Sequence, residues 1–113
     1  MSQAGAAPED LSAWIEERAR LLTSIAAEIK SISARDRDDR AAWTLNLLEE
    51  TAELETHARR MVHLLTAYAL RERLASPTVV AKRSKVTITA AQNRAGSSLA
   101  SEVWSELWPS SQP

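Results

Sequence analysis

Apolar residues recur along the first two thirds of the chain with a helical period. Leu11, Ile15, Arg18, Leu22, Ile25, Ile29 and Ile32 are spaced alternately by four and three, and Trp14 and Leu21 widen the same stripe. Apart from Arg18 this is a heptad seam on one face of a helix. A second series, Leu47, Thr51, Leu54, Ala58, Met61, Leu65 and Tyr68, is flanked by Trp43, Leu48, Val62 and Ala69. Between the two lies SARDRDDRA, the most polar stretch, whose Asp36, Asp38 and Asp39 suit the opening turn of a helix. No proline occurs between Pro8 and Pro77, and no glycine between Gly5 and Gly96. The pattern predicts a hairpin, with helix one at about residues 9–33, capped by Asp10, and helix two at about 37–74. With neither glycine nor proline at the turn, one continuous helix is the alternative.

Either arrangement leaves apolar surface that a single hairpin does not fully cover. A coiled-coil or four-helix homodimer is therefore expected, carried by Leu11, Ile15, Leu22, Ile25 and Ile29 on the first helix and by Leu47, Leu54, Met61 and Leu65 on the second. Residues 1–8 read as a disordered lead, 9–75 as the dimerising hairpin, 76–109 as a second unit of short helices, and 110–113 as a tail. The fold class is all-α.

The second unit has its own punctuation. Ser76-Pro77 is a start signal, because serine caps and proline is preorganised for the first helical position. Val79, Val80 and Ala81 give that helix its apolar side, and "SKV" interrupts it. Thr87 can cap a new helix with Ala91 and Ala95 inward and Gly96 at its end. Ser97 or Ser98 can cap a last helix carrying Leu99, Val103, Trp104 and Leu107, stopped at Trp108-Pro109. Two short helices joined by three residues, the second small and alanine-rich, have the geometry of a helix-turn-helix.

VAKRSKVTITAAQNR resembles the helix-turn-helix of bacterial transcription regulators, in which a pattern such as V-A-x-x-A-G-V-S-x-x-T-V-S-R recurs. KVTITAAQNRAG is similar to GVSRQAAxxRFG at the corresponding place in actinobacterial proteins. The resemblance covers about twenty residues together with the preceding ARRMVHLLTAYALRERLA, and not the N-terminal hairpin. It implies a recognition helix from Ile88 to about Ala95, with Thr89, Gln92 and Asn93 outward. Gln and Asn can bond adenine N6 and N7 bidentately, and Ile88 or Thr89 can meet a thymine methyl. Lys82, Arg83, Lys85, Thr87 and Arg94 would hold backbone phosphates, Arg94 with guanine as its other target. The sequence departs from the pattern at the turn glycine, replaced here by Lys85, which would have to turn left-handed at about 1 kcal/mol.

Charge singles out the same region. Formal net charge is −1 overall, yet Ser76 to Gly96 holds four basic residues and no acid. Residues 1–75 carry ten Lys/Arg against thirteen Asp/Glu. Without cysteine there are no disulfides, thiolate metal sites or thiol catalysis. No apolar run is long enough to span a bilayer, the N-terminus has no signal-peptide pattern, and the mixed polar faces do not suit a membrane surface.

Glu49, Glu53 and His57 share a helix face, but the spacing does not match a diiron pattern, and a solvated Glu53–His57 pair is the better reading. His63 reads as a packing residue. No nucleophile–base set and no glycine-rich phosphate loop occur, so no enzyme activity, metal or cofactor is expected. Trp104 and Trp108 read as packing residues, with docking of another protein as their minority use. The expected function is a cytoplasmic, nucleoid-associated, sequence-specific binder of double-stranded DNA. It would regulate transcription or organise DNA, reading an inverted repeat as a dimer. The alternative is a helical protein–protein adaptor of antitoxin or sigma-factor-binding type, using the apolar seams.

Overall fold

The computed structural model describes residues 6–35 and 37–109. Within them the chain forms five helices and no strand: α1 (Pro8–Ser33), α2 (Arg40–Arg71), α3 (Pro77–Ser84), α4 (Ile88–Ala95) and α5 (Ser98–Leu107).

The two long helices form the expected hairpin and not one continuous rod. α1 starts one residue before the predicted boundary and α2 lies inside its predicted range, each for local reasons. Pro8 occupies the first turn of α1, so the helix starts before Asp10, and the capping position falls to Ala7, which makes no side-chain cap. Asp10 lies instead in the first turn, where its charge meets the helix dipole. At the start of α2 the cap is Asp39, whose carboxylate accepts from the Ala42 N–H at 3.0 Å. Asp36 lies outside the described residues. Across the turn, the Trp43 indole N–H donates to the Ile32 carbonyl at 3.1 Å, satisfying a terminal carbonyl of α1 from the first turn of α2.

α2 ends three residues earlier than predicted, at Arg71. Arg73 takes a left-handed conformation (φ 55°), and the Leu74 N–H reaches back to the Ala69 carbonyl at 2.9 Å. That closure turns the chain toward α3 without a glycine.

Two apolar clusters hold the elements together. In the larger, Trp14 of α1, Leu64 and Ala67 of α2, and Ala100, Val103, Trp104 and Trp108 from α5 and its end form one core, so the first and last helices meet at the open end of the hairpin. Tyr68 stacks on Trp108 with centroids 5.5 Å apart, and Trp104 meets Trp108 edge-on at 4.7 Å. The smaller cluster is Val80, Ala81 and Ala91, closed by Ala69, Leu70, Ala75 and Val86 where α3 and α4 pack on the end of α2. The larger core joins residues on both sides of the 75/76 boundary.

Arg71 of α2 ties α4 and α5 together. Its guanidinium lies 4.5 Å from the Trp104 ring centroid and donates to the Ala95 carbonyl at the end of α4. On the flank of α2, Arg60 pairs with Glu102 and Glu106 of α5. Burial disfavours its charge, but the hydrogen bonds it donates to both carboxylates, and their negative charge, outweigh that, so its pKa lies above the ordinary arginine value.

Because Leu64 is fully buried where α1, α2 and α5 converge, Leu64→Ala should destabilise the fold by about 2–5 kcal/mol, measured by urea unfolding at equilibrium.

Candidate nucleic-acid interface

α3 and α4 are joined by three residues, Lys85 to Thr87, as the sequence predicts. Each is started by a hydroxyl cap: Ser76 accepts from the Val79 N–H at 3.2 Å and Thr87 from the Ala90 N–H at 3.1 Å. Lys85 is left-handed, with φ 63° and ψ 40°. Its N–H donates to the Lys82 carbonyl and the Val86 N–H to the Ala81 carbonyl, so two terminal carbonyls of α3 are satisfied. Lysine thus holds a conformation for which glycine is preferred, at a cost of about 1 kcal/mol. Gly96 contributes no such freedom. Its φ is −95°, and an added Cβ would meet only the Gln92 carbonyl at an ordinary 3.7 Å.

Small inward residues set the closeness of the pair. Ala91 is fully buried and Ala81 nearly so, with Val86 packed beside them. Val79 departs from the expectation. The sequence pattern places it inward with Val80, but it is 47% exposed because an eight-residue helix against α2 covers only one narrow stripe.

The predicted contact residues divide into two groups. Ile88, Thr89, Gln92 and Asn93 are all exposed along α4, so the inward use of Ala91 leaves the other face free. Lys82 is exposed on α3, and the Thr87 hydroxyl is committed to capping α4. Arg83, Lys85 and Arg94 line a separate cleft of about 790 Å³ together with Glu55, Arg59 and His63 of α2.

Arg59 and His63 lie one helical turn apart. Sequence reasoning gave Arg59 no role and read His63 as a packing residue. Their i,i+4 spacing places them on one face of α2, but nothing in the sequence says that this face meets the α3–α4 turn.

His63 is partly buried and its Nδ1 lies 3.0 Å from the Ser97 hydroxyl oxygen. That hydroxyl donates to the Arg94 carbonyl at 2.8 Å and accepts from the Ala100 N–H at 3.0 Å, capping α5. With the serine hydrogen already used, the ring must donate. Neutral His63 therefore carries its proton on Nδ1 and leaves Nε2 unprotonated. Desolvation, and then the charges of Arg94 and Arg59, hold its pKa below the ordinary value of 6.5.

The expected dimerisation residues are mostly occupied within the chain. Ile25 is buried, Leu11, Ile15, Leu22, Ile29, Leu47, Leu54 and Met61 are partly buried, and only Leu65 is exposed. The larger exposed apolar side chains of α2 are instead Leu45 (61%) and Leu48 (60%), with Val62 and Leu65 beside an apolar groove against α3. Trp104 (4%) and Trp108 (2%) are core residues, so the minority reading of a protein-docking patch fails: their indoles are stacked inside the hairpin's open end.

Among the described residues, Glu53 and His57 form the predicted pair at 3.1 Å, no group of three or more His, Asp or Glu could hold a metal ion, and no helix is long and apolar enough to cross a membrane. Compared with known proteins, the chain matches no family model, no curated protein and no solved structure.

Two measurements follow from this geometry. Lys85→Gly should raise stability by about 1 kcal/mol in urea unfolding, because it removes the left-handed strain. For His63, the folded state favours the neutral ring, so its contribution is complete above the unfolded pKa near 6.5 and is lost as pH falls through the lower folded value. The melting temperature of His63→Gln should therefore fall less than that of the wild type on acidification below about pH 6.5.

Proposed function

We propose that this protein binds double-stranded DNA in a sequence-specific manner, with α4 in the major groove. The observation that carries the reading is the α3–α4 pair. A three-residue turn with a left-handed residue, small inward side chains and an exposed Ile88-Thr89-Gln92-Asn93 face occur together in a segment without acidic residues. Gln92 and Asn93 suit adenine edges, and Ile88 and Thr89 suit thymine methyls. The site residues carry no nucleophile–base arrangement, and the reading is of a binding protein, not an enzyme. Either transcriptional regulation or organisation of DNA at the nucleoid is compatible with it.

One α4 of eight residues offers four side chains to bases, enough for a half-site. A second copy of the chain would supply the other half and read an inverted repeat, with specific affinity gained from two sets of contacts. The hairpin seam is already largely filled, so the dimer we propose uses α2's remaining apolar surface. Val62, Leu65 and Val79 border its groove of about 360 Å³, and Leu74, 66% exposed, follows α2. The adaptor reading would use the same surface for a different protein, and self-association in sedimentation favours the dimer.

Selection from random duplexes with the purified full chain should recover an inverted repeat. Gln92→Ala and Asn93→Ala should each relax base preference at one position in each half-site, by about 1–3 kcal/mol. Absence of any duplex binding at low salt would overturn the reading, as would affinity that does not respond to salt.

A further inference from the structure

The basic cleft stands apart from the exposed face of α4 and has the composition of an oxyanion site. Arg59 and His63 come from α2, Arg83 and Lys85 from the end of α3 and its turn, and Arg94 from α4. Among the described residues, Arg83, Lys85 and Arg94 have no carboxylate partner. Arg59 has only Glu55 at 3.7 Å, a pair whose side chains are 59% and 71% exposed. Such an exposed pair contributes little and leaves most of the arginine's field in place.

Val62 and Leu99 also line this cleft and give one side of it apolar surface. Four cations and one carboxylate leave a formal charge of +3 around the cleft with His63 neutral. Nothing in the described structure offsets that repulsion, and an anion would.

We propose that this cleft binds a phosphate group, held by the guanidinium forks of Arg59, Arg83 and Arg94 and the ammonium of Lys85, with His63 at its wall. Planar guanidinium groups match the oxygen geometry of phosphate and can bind it in bidentate fashion, which suits three arginines around one tetrahedral anion. The cleft is larger than a single phosphate and open to solvent, so a phosphate that is part of a chain can enter. On the DNA-binding reading, the occupant is a backbone phosphodiester, and the cleft positions the protein while α4 reads bases.

His63 gives the site a reporter. In the unliganded protein its ring proton is on Nδ1, committed to Ser97, and Nε2 is free to take a second proton. Arg94 on α4 and Arg59 on its own helix oppose protonation; Arg83 and Lys85 near the turn line the same cleft, with Glu55 the one carboxylate in its lining. A bound phosphate offsets part of that positive charge and so favours a proton on the ring. Affinity for phosphate should then rise as pH falls through the His63 pKa of the complex. This is opposite in sign to the effect of His63 on stability.

The test follows the His63 ring by NMR titration of the full chain, with inorganic phosphate as the first probe and potassium chloride at matched ionic strength as the control. Phosphate should raise the His63 pKa by on the order of half a unit or more, and chloride should not. In Arg59→Gln combined with Arg94→Gln the phosphate effect should disappear, with urea unfolding confirming that the variant is folded. An unchanged His63 pKa in saturating phosphate, or an undiminished shift in the double variant, overturns the proposal.

A second arm uses a duplex of about twenty base pairs at low salt. Arg59→Gln should weaken binding to every sequence alike and lower the salt slope by about one. Gln92→Ala should leave the phosphate-induced shift of His63 intact. If phosphate shifts His63 and no duplex binds, the cleft is a site for free phosphate and the DNA reading fails. If the duplex binds equally well in Arg59→Gln and phosphate leaves His63 unmoved, the cleft fails and the DNA reading stands.

Discussion

Everything else in the structure depends on the docking of α5 into the open end of the hairpin. Val103, Trp104 and Trp108 meet Trp14, Leu64 and Ala67 there, so the first, second and last helices share one core. The α3–α4 pair has no comparable core of its own, since its buried residues are Val80, Ala81 and Ala91, all small or medium in size. Two short helices with so little apolar area cannot hold a fixed angle by themselves. Their orientation is set from outside, by the end of α2 beneath them and by α5, which follows α4 directly. Arg71 ties both together through the Trp104 ring and the Ala95 carbonyl.

This dependence explains why polar capping is so heavily used in the C-terminal third. Serine or threonine caps each of α3, α4 and α5 through an N–H three residues on. In helices of eight to ten residues the unsatisfied terminal groups are a large share of the backbone, so each cap matters more than it would in a long helix. The chain-reversing positions are equally economical in glycine. Arg73 and Lys85 both adopt left-handed backbone angles, where an L side chain is disfavoured. A positive charge therefore stands at each place where the chain turns into or out of α3. At Lys85 that charge lies on the rim of a cleft already lined by three arginines.

The separation of two faces on one small unit gives the site its logic. The exposed side of α4 carries amide, hydroxyl and branched aliphatic groups, the kinds that the proposed DNA binding would use to tell bases apart. The cations Arg83, Lys85 and Arg94 converge on the α2 side, where they suit an oxyanion and not a base edge. Ser97 sits between these two faces: it caps α5, accepts from the His63 ring N–H and donates to the Arg94 carbonyl.

The sequence by itself determined the helices, because periodicity, proline placement and hydroxyl caps are local signals. The two long helices, the three-residue turn and the caps at Ser76 and Thr87 were legible from spacing, which left a hairpin and one continuous helix both open. The outward positions of Gln92 and Asn93 came from the resemblance to helix-turn-helix regulators. The demand on Lys85 came from the same resemblance, whose turn glycine it replaces. What spacing cannot say is which helix face meets which neighbour. Two long apolar seams read equally well as a dimer interface and as a hairpin's own filling, and only the antiparallel packing of α1 on α2 assigns most of that surface to the single chain. Trp104 and Trp108 likewise become core residues only because Trp14, some ninety residues away, lies beside them. The basic cleft was invisible for the same reason. Arg59 and His63 lie twenty or more residues from Arg83 in sequence, and it is the tertiary fold that turns a surface stripe on α2 toward the charges of α3 and α4.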